Sequence, residues 1–259
     1  VSPRVSRRLP ALAVLATVLV AASACSSSTA DSSATAPSAS PAPSSGSGSA
    51  GPTGSPTTIM GADGGPVVAS PGTGRLGPGF VTPTAPPPPG GTMTPSPGSW
   101  SRVTVPAGYE IALLATDDNE PARHLHQAVE AWAAAHDVRV TVVPAHDPAT
   151  YLAAIQKAID LHPDLVVSAG DPLADPLSVV TASWPDQEFL LLGAELAEPT
   201  FNVTAAVWKG TTARGGGSGT GNAWRYDAST FTVERAARAL DAGVAAVLRG
   251  YAGFVVRVD

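Results

Sequence analysis

The side chains able to do chemistry in this chain are few, and most are carboxylates at the ends of apolar runs. Asp117 and Asp118 follow the run Glu110 to Ala115, with Asn119 and Glu120 next; Asp171 follows Leu165 to Gly170, and Glu195 follows Phe189 to Gly193. Lys209 closes a fourth run, Val203 to Trp208. Carboxylates so placed can hold a divalent cation or the hydroxyls and amines of a small ligand. They also have a plain structural use. Asp171 and Asp175 each precede a proline and can cap a helix, and Asp117, Asp118 and Asn119 are turn formers. The five histidines make no zinc pattern: His124 and His126 stand two apart on a helix, while His136, His146 and His162 sit at element ends. The run Gly215 to Gly221 lacks the Gly-Lys-Ser/Thr ending of a phosphate loop, fits no GxGxxG frame and reads as a flexible connector. Ser218 within it has no GxSxG frame and no His/Asp partners. Trp224, Arg225 and Tyr226 come next, and either pack under that loop or stack on a ring-shaped ligand. The expectation is therefore a non-enzyme without metal or cofactor. Its ligand site would be drawn from Asp117, Asp118, Asn119, Asp171, Glu195 and Trp224.

These positions take their meaning from the elements between them. Glu110 to Ala115 is a short apolar run, as in a strand buried on both faces. Pro121 to about His136 carries Leu125, Val129 and Trp132 at helical spacing. Val138 to Val143 is β-branched. Asp147 and Pro148 then offer an N-cap and a first helical residue for a helix through Leu152, Ile155 and Ile159. Leu165 to Val167 reads as the third strand, with a helix opening at Asp171-Pro172 or Asp175-Pro176. Phe189 to Leu192 and Val203 to Trp208 are strands four and five. A last helix spans about Thr230 to Arg249, and Phe254 to Val258 is strand six. This alternation predicts an α/β fold: one Rossmann-like three-layer domain over 106–259 with a mostly parallel sheet. Ligands of such sheets bind at the carboxyl ends of the strands, where strand order reverses.

Charge narrows the ligand. The chain carries 15 basic and 21 acidic residues for a net charge of −6, and from Ser101 onward the count is 11 basic against 19 acidic. Such a field disfavours nucleic acid and anionic ligands, while admitting neutral polyhydroxyl, cationic or metal-bound ones. Asp117, Asp118, Asp171 and Lys209 are also similar to the acidic site and lysine of response-regulator receiver domains, although Gly210 stands where receivers commonly have proline. An exported chain has no cytoplasmic phosphoryl donor, which speaks against that use.

Export is read from the first 24 residues. Arg4, Arg7 and Arg8 precede an apolar stretch from Leu9 to Ala22, and Ala22-Ser23-Ala24 leads into Cys25, the one cysteine of the chain. The segment resembles a bacterial lipoprotein signal peptide, without the leucine favoured three residues before the cysteine. The resemblance implies an acylated Cys25 as the lipid anchor on the extracytoplasmic face of the cell membrane; cleavage after Ala24 to a secreted protein, or an uncleaved anchor, is the alternative. Two acyl chains suffice for stable anchoring where one is marginal. One cysteine excludes an intrachain disulfide, so the folded part relies on its apolar core. Residues 25–105 are rich in Ser, Thr, Ala, Pro and Gly with almost no charge, too poor in apolar side chains to offset chain entropy. They read as a disordered tether with a reach of about 45–50 Å. Within it, Ile59-Met60 and Val67-Val68 carry the signal for a brief strand.

Several segments of the domain share a family pattern. Tyr151, Ile155 and Ile159 lead into Pro163-Asp164-Leu165-Val166-Val167-Ser168-Ala169-Gly170 and Ala174-Asp175-Pro176-Leu177; Trp184-Pro185-Asp186-Gln187-Glu188-Phe189 precedes strand four. Asn202 to Lys209 and Ala242 to Val247 with Gly253 to Val256 follow in the same order. Together they resemble the basic membrane protein family of substrate-binding lipoproteins, over about residues 109–258. The resemblance implies a type I periplasmic-binding-protein fold, first lobe only, binding a nucleoside-like ligand for an ABC permease. The loop Asp117-Asp118-Asn119-Glu120-Pro121 departs from the family's D-x-S-F-N ligand motif. One lobe leaves a ligand half exposed, so either affinity is weak or a homodimer closes the cleft. The competing expectation is a structural or protein-interaction module of the cell envelope whose ligand site is lost.

Overall fold

The computed structural model describes residues 59–60, 66–67, 72–81, 87, 90–116, 119–212 and 226–259. The leader, Cys25, much of the tether, Asp117, Asp118 and Trp224 lie outside these residues. Two short strands, β1 (Ile59–Met60) and β2 (Pro66–Val67), pair antiparallel. The remaining elements build one α/β domain around a seven-stranded sheet whose pairings are all parallel.

In chain order the elements are β3 (Thr92–Met93), β4 (Glu110–Ala115), α1 (Glu120–Ala135), β5 (Arg139–Pro144), α2 (Tyr151–Asp160), β6 (Leu165–Ala169), α3 (Ala174–Val180), β7 (Phe189–Leu192), β8 (Val203–Val207), α4 (Val233–Leu248) and β9 (Val255–Arg257). The spatial order is β3-β9-β8-β7-β6-β4-β5. The chain runs outward from β4 to β5 and then returns to β6 on the other side of β4, so strand order reverses between β4 and β6. The interior strand β6 is buried along its whole length, as expected for a strand covered on both faces.

One face is covered by α1 and α4. Leu125, Val129 and Trp132 of α1 and Leu240 and Val244 of α4 pack on Ile111, Leu113, Val167 and Leu190. Glycine lets α4 come close: a Cβ on Gly243 would stand 2.8 Å from Leu190 Cδ1 and 3.0 Å from Ala206 Cβ. The opposite face is covered by α2 and α3, with Ile155, Ile159 and Leu177 against Ala112, Leu114, Phe189 and Leu191.

The structure corrects three local expectations. Asp147 does cap, accepting from Ala149 N at 2.9 Å, but it opens a 3-10 turn at Pro148–Thr150, and α2 starts only at Tyr151. Neither Asp171 nor Asp175 occupies the N-cap of α3. That position is Leu173, which has no side-chain cap; Asp171 gives its backbone carbonyl to Ala174 N at 2.9 Å, and Asp175 lies inside the first turn. Third, the fold does not begin at residue 106. Thr92–Met93 add a strand to β9, and Phe80, Met93 and Trp100 are buried in the same core cluster as the inner faces of α4 and β9. Thr73 Oγ1 donates to Leu248 O at 3.2 Å and receives Arg249 Nη1 at 3.0 Å, tying this segment to the end of α4. A few large side chains in a Pro/Gly-rich stretch are enough when an open sheet edge and an apolar helix flank are waiting for them.

Candidate functional site

A cavity of about 320 Å³ opens at the carboxyl edge of the sheet, where strand order reverses. Thr116 beyond β4 and Ala169 and Gly170 at the end of β6 form one side; Asn119, Ala122 and Leu125 of α1 form another. Gly193, Thr212, Tyr226 and Phe231 complete it, with Asp171 and Pro172 at the loop after β6.

Asn119 and Thr116 have defined local roles. Asn119 is the N-cap of α1: its side-chain oxygen accepts from Ala122 N at 2.9 Å, and its backbone oxygen accepts from Arg123 N at 3.0 Å. The carboxamide oxygen is thus committed to the helix, and Asn119 has its N–H2 donors to offer a ligand. Thr116 is buried, and its hydroxyl donates to Ala169 O at 3.3 Å, joining the ends of β4 and β6 across the switch point. His146 Nδ1 bonds the carbonyl of Thr116 from the neighbouring loop after β5.

The aromatic wall is built from long range. Phe231 follows a short 3-10 turn, Ala228–Thr230, that Asp227 caps by accepting from Ser229 N at 3.1 Å. Its carbonyl lies 2.6 Å from His124 Nδ1 of α1. Its ring meets Trp208 edge-on at 5.1 Å between centroids and Tyr226 at 5.4 Å. Trp208 itself is fully buried and donates from Nε1 to Thr230 Oγ1 at 3.1 Å. Tyr226 stands at the mouth, 54% exposed. Its hydroxyl is pushed above its ordinary pKa, first by partial burial and then by the negative charge of Asp171.

Of the residues expected at the site, Asn119 and Asp171 line the cavity. Glu195 does not. It sits past β7, where Ala194 bridges to Thr212, and its half-buried carboxyl is pushed up by desolvation and pulled back by the Arg257 charge. Asp117, Asp118 and Trp224 lie outside the described residues. Lys209, the lysine of the receiver-like reading, is exposed and does not line the cavity. Among the described residues, no three His, Cys, Asp or Glu side chains are grouped to hold a metal ion. Sequence reasoning missed Phe231 and Thr212. Nothing local marks Phe231 except the Asp227 turn before it, and that turn says where the chain bends, not which strand end the ring reaches.

No family model matches the chain, and no curated protein matches it. Solved structures with some likeness include an ABC-transporter solute-binding protein from Aeropyrum pernix K1, at 19% identity and a TM-score of 0.36 over 40% of this chain and 29% of that one. A protein described as a lipoprotein from Peptoclostridium difficile 630 gives 16% identity and a TM-score of 0.39 over 53% of this chain and 96% of that fragment. A solute-binding protein of an ABC transporter from Conexibacter woesei DSM 14684 gives 20% identity and 0.33 over 40% and 36%. This chain spans about a third of the two solute-binding proteins. Likeness of this extent assigns no function, which rests instead on the geometry of the cavity.

Proposed function

We propose that this domain is a non-catalytic binding module for a small neutral or cationic molecule. The observation that carries the reading is the cavity itself. It lies at the switch point of a parallel sheet, its volume falls within the range of small-molecule sites, and apolar and aromatic walls surround a few polar groups. Among its described lining residues, Asp171 is the one charged side chain, with no nucleophile–base pair beside it. We further propose that Cys25 is acylated and that the tether holds the domain outside the membrane. There a nucleoside-like ligand, an ABC permease or a second copy of the chain would be the partners. Cys25→Ser then shifts the protein from the detergent to the aqueous phase in partitioning; unchanged partitioning sinks the anchor.

A thermal-shift screen of the full chain against nucleosides, sugars, amino acids and divalent cations tests the binding reading. A ligand at 100-fold over its dissociation constant adds about 2.7 kcal/mol to stability. A saturable shift that Phe231→Ala weakens supports the cavity as the site. A cooperative melt with no shift across the panel turns the reading toward a protein-interaction module of the envelope.

A further inference from the structure

Among the described lining residues the cavity has aromatic faces and one carboxylate, and several of the backbone donors around it are already used. At the start of α1, where a helix would ordinarily present N–H groups to an anion, Pro121 has none to give. Ala122 N donates to the Asn119 side chain and Arg123 N to its carbonyl. Across the cavity, Gly170 N donates to Leu192 O at 2.9 Å and Gly193 N to Ala206 O at 2.9 Å. At these five positions the backbone has no uncommitted N–H to offer a phosphate or carboxylate. The described lining also carries the carboxylate of Asp171 at the mouth, close enough to act on the Tyr226 hydroxyl, and the tilted pair Tyr226–Phe231. Asp171 already has a partner, and a carboxylate has about four lone-pair sites to share. Ring faces attract cations through the quadrupole, and partial desolvation strengthens both that attraction and the ion pair.

We propose that the cavity selects an organic ammonium ion, its charged head between Asp171 and the face of Tyr226 and its apolar body against Phe231 and Leu125. This rests on the binding function proposed above and narrows it to one ligand class. An ammonium on an alkyl or aryl body matches the lining at each point: it needs no backbone donor, it is drawn inward by the net negative domain, and its carbon skeleton covers the apolar wall.

The experiment is calorimetric titration of the full chain with two cations, each against a neutral counterpart of the same shape. Choline is paired with 3,3-dimethyl-1-butanol, and phenethylamine with 2-phenylethanol. At least one cation is expected to bind about tenfold tighter than its counterpart. That preference should collapse in Asp171→Asn and shrink in Tyr226→Leu, both checked for an unchanged circular dichroism spectrum. Should Asp171→Asn fail to fold, Tyr226→Leu and the cation–neutral difference in the unaltered chain carry the test. Equal binding of cation and neutral partner overturns the inference, as does a cation preference that survives Asp171→Asn. Binding of neutral molecules or nucleosides alone leaves the binding function standing and removes only the ammonium assignment. A chain that binds neither these four probes nor any nucleoside, sugar or amino acid removes both.

Discussion

Gly193 and Phe231 touch across the floor of the cavity: a Cβ built on Gly193 would stand 2.9 Å from Phe231 Cε1. The residue also holds φ at +81°, a left-handed conformation that costs L side chains energy. Gly193→Ala should therefore destabilise the domain by about 2 kcal/mol, part from backbone and part from the ring contact. Urea unfolding of Gly193→Ala, Phe231→Leu and the double variant separates the two parts. The double variant should recover the steric share and keep the backbone share; strict additivity would show that the contact carries no energy.

Asn202 is fully buried between β7 and β8 and ties down the loop that precedes β7. Its Nδ2 lies 3.1 Å from Thr181 O, 2.8 Å from Trp184 O and 2.9 Å from Gln187 O, three acceptors shared by its two hydrogens, while its Oδ1 accepts from Thr200 Oγ1 at 2.6 Å. Asn202→Ala leaves buried carbonyls without a donor and should cost about 2–4 kcal/mol. Chemical denaturation measures this directly. A loss below about 0.5 kcal/mol, the level of an ordinary surface substitution, would mean that water replaces the amide.

Glu188 sits at the amino end of β7, remote from the cavity, with Oε2 buried and unpartnered. Burial pushes its carboxyl from 4.5 up to about 7. Tyr109 and Asp164 lie at the same edge, as do Glu110 and its ion-pair partner Arg139. The Tyr109 hydroxyl is pushed up by its own burial and then by the charges of Asp164 and Glu188. The folded chain holds the Glu188 proton more tightly than the unfolded chain. Its contribution is therefore full below pH 4.5, falls as pH rises toward about 7, and stays lost above that. The span sets an upper bound of about 3 kcal/mol. Melting temperature should decline across this window in the unaltered chain, and Glu188→Gln should flatten the decline and melt higher at pH 8. A decline equally steep in Glu188→Gln would assign it to another group.

The segment before residue 106 is part of the fold, and this can be weighed by truncation. A chain beginning at residue 106 loses the β3 pairing and the buried rings of Phe80 and Trp100. It should melt well below a chain beginning at residue 72, or fail to fold. In the full chain, Trp100→Ala alone should cost about 3 kcal/mol. Equal melting temperatures for the two truncations would return the domain boundary to residue 106.

The sequence by itself determined the main strands, the long helices and the fold class, because those depend on local periodicity. Ile111, Leu113 and Leu114, or Leu125, Val129 and Trp132, show their element to a reader of a few neighbouring residues. It also placed Asn119 and Asp171 near the site, since strand ends of a parallel sheet fall on one edge whatever the loops do. Only the tertiary structure decided which of those ends share a cavity. Glu195 follows its strand as Asp171 follows its own, yet one meets the charge of Arg257 and the other lines the pocket. Phe231 reaches Gly193, and Thr92–Met93 reach β9, across stretches of chain in which no local pattern announces the pairing. The reason is physical. Periodicity records which side of an element faces apolar surroundings, but the partner on that side is chosen by packing between segments distant in sequence, after the sheet has formed.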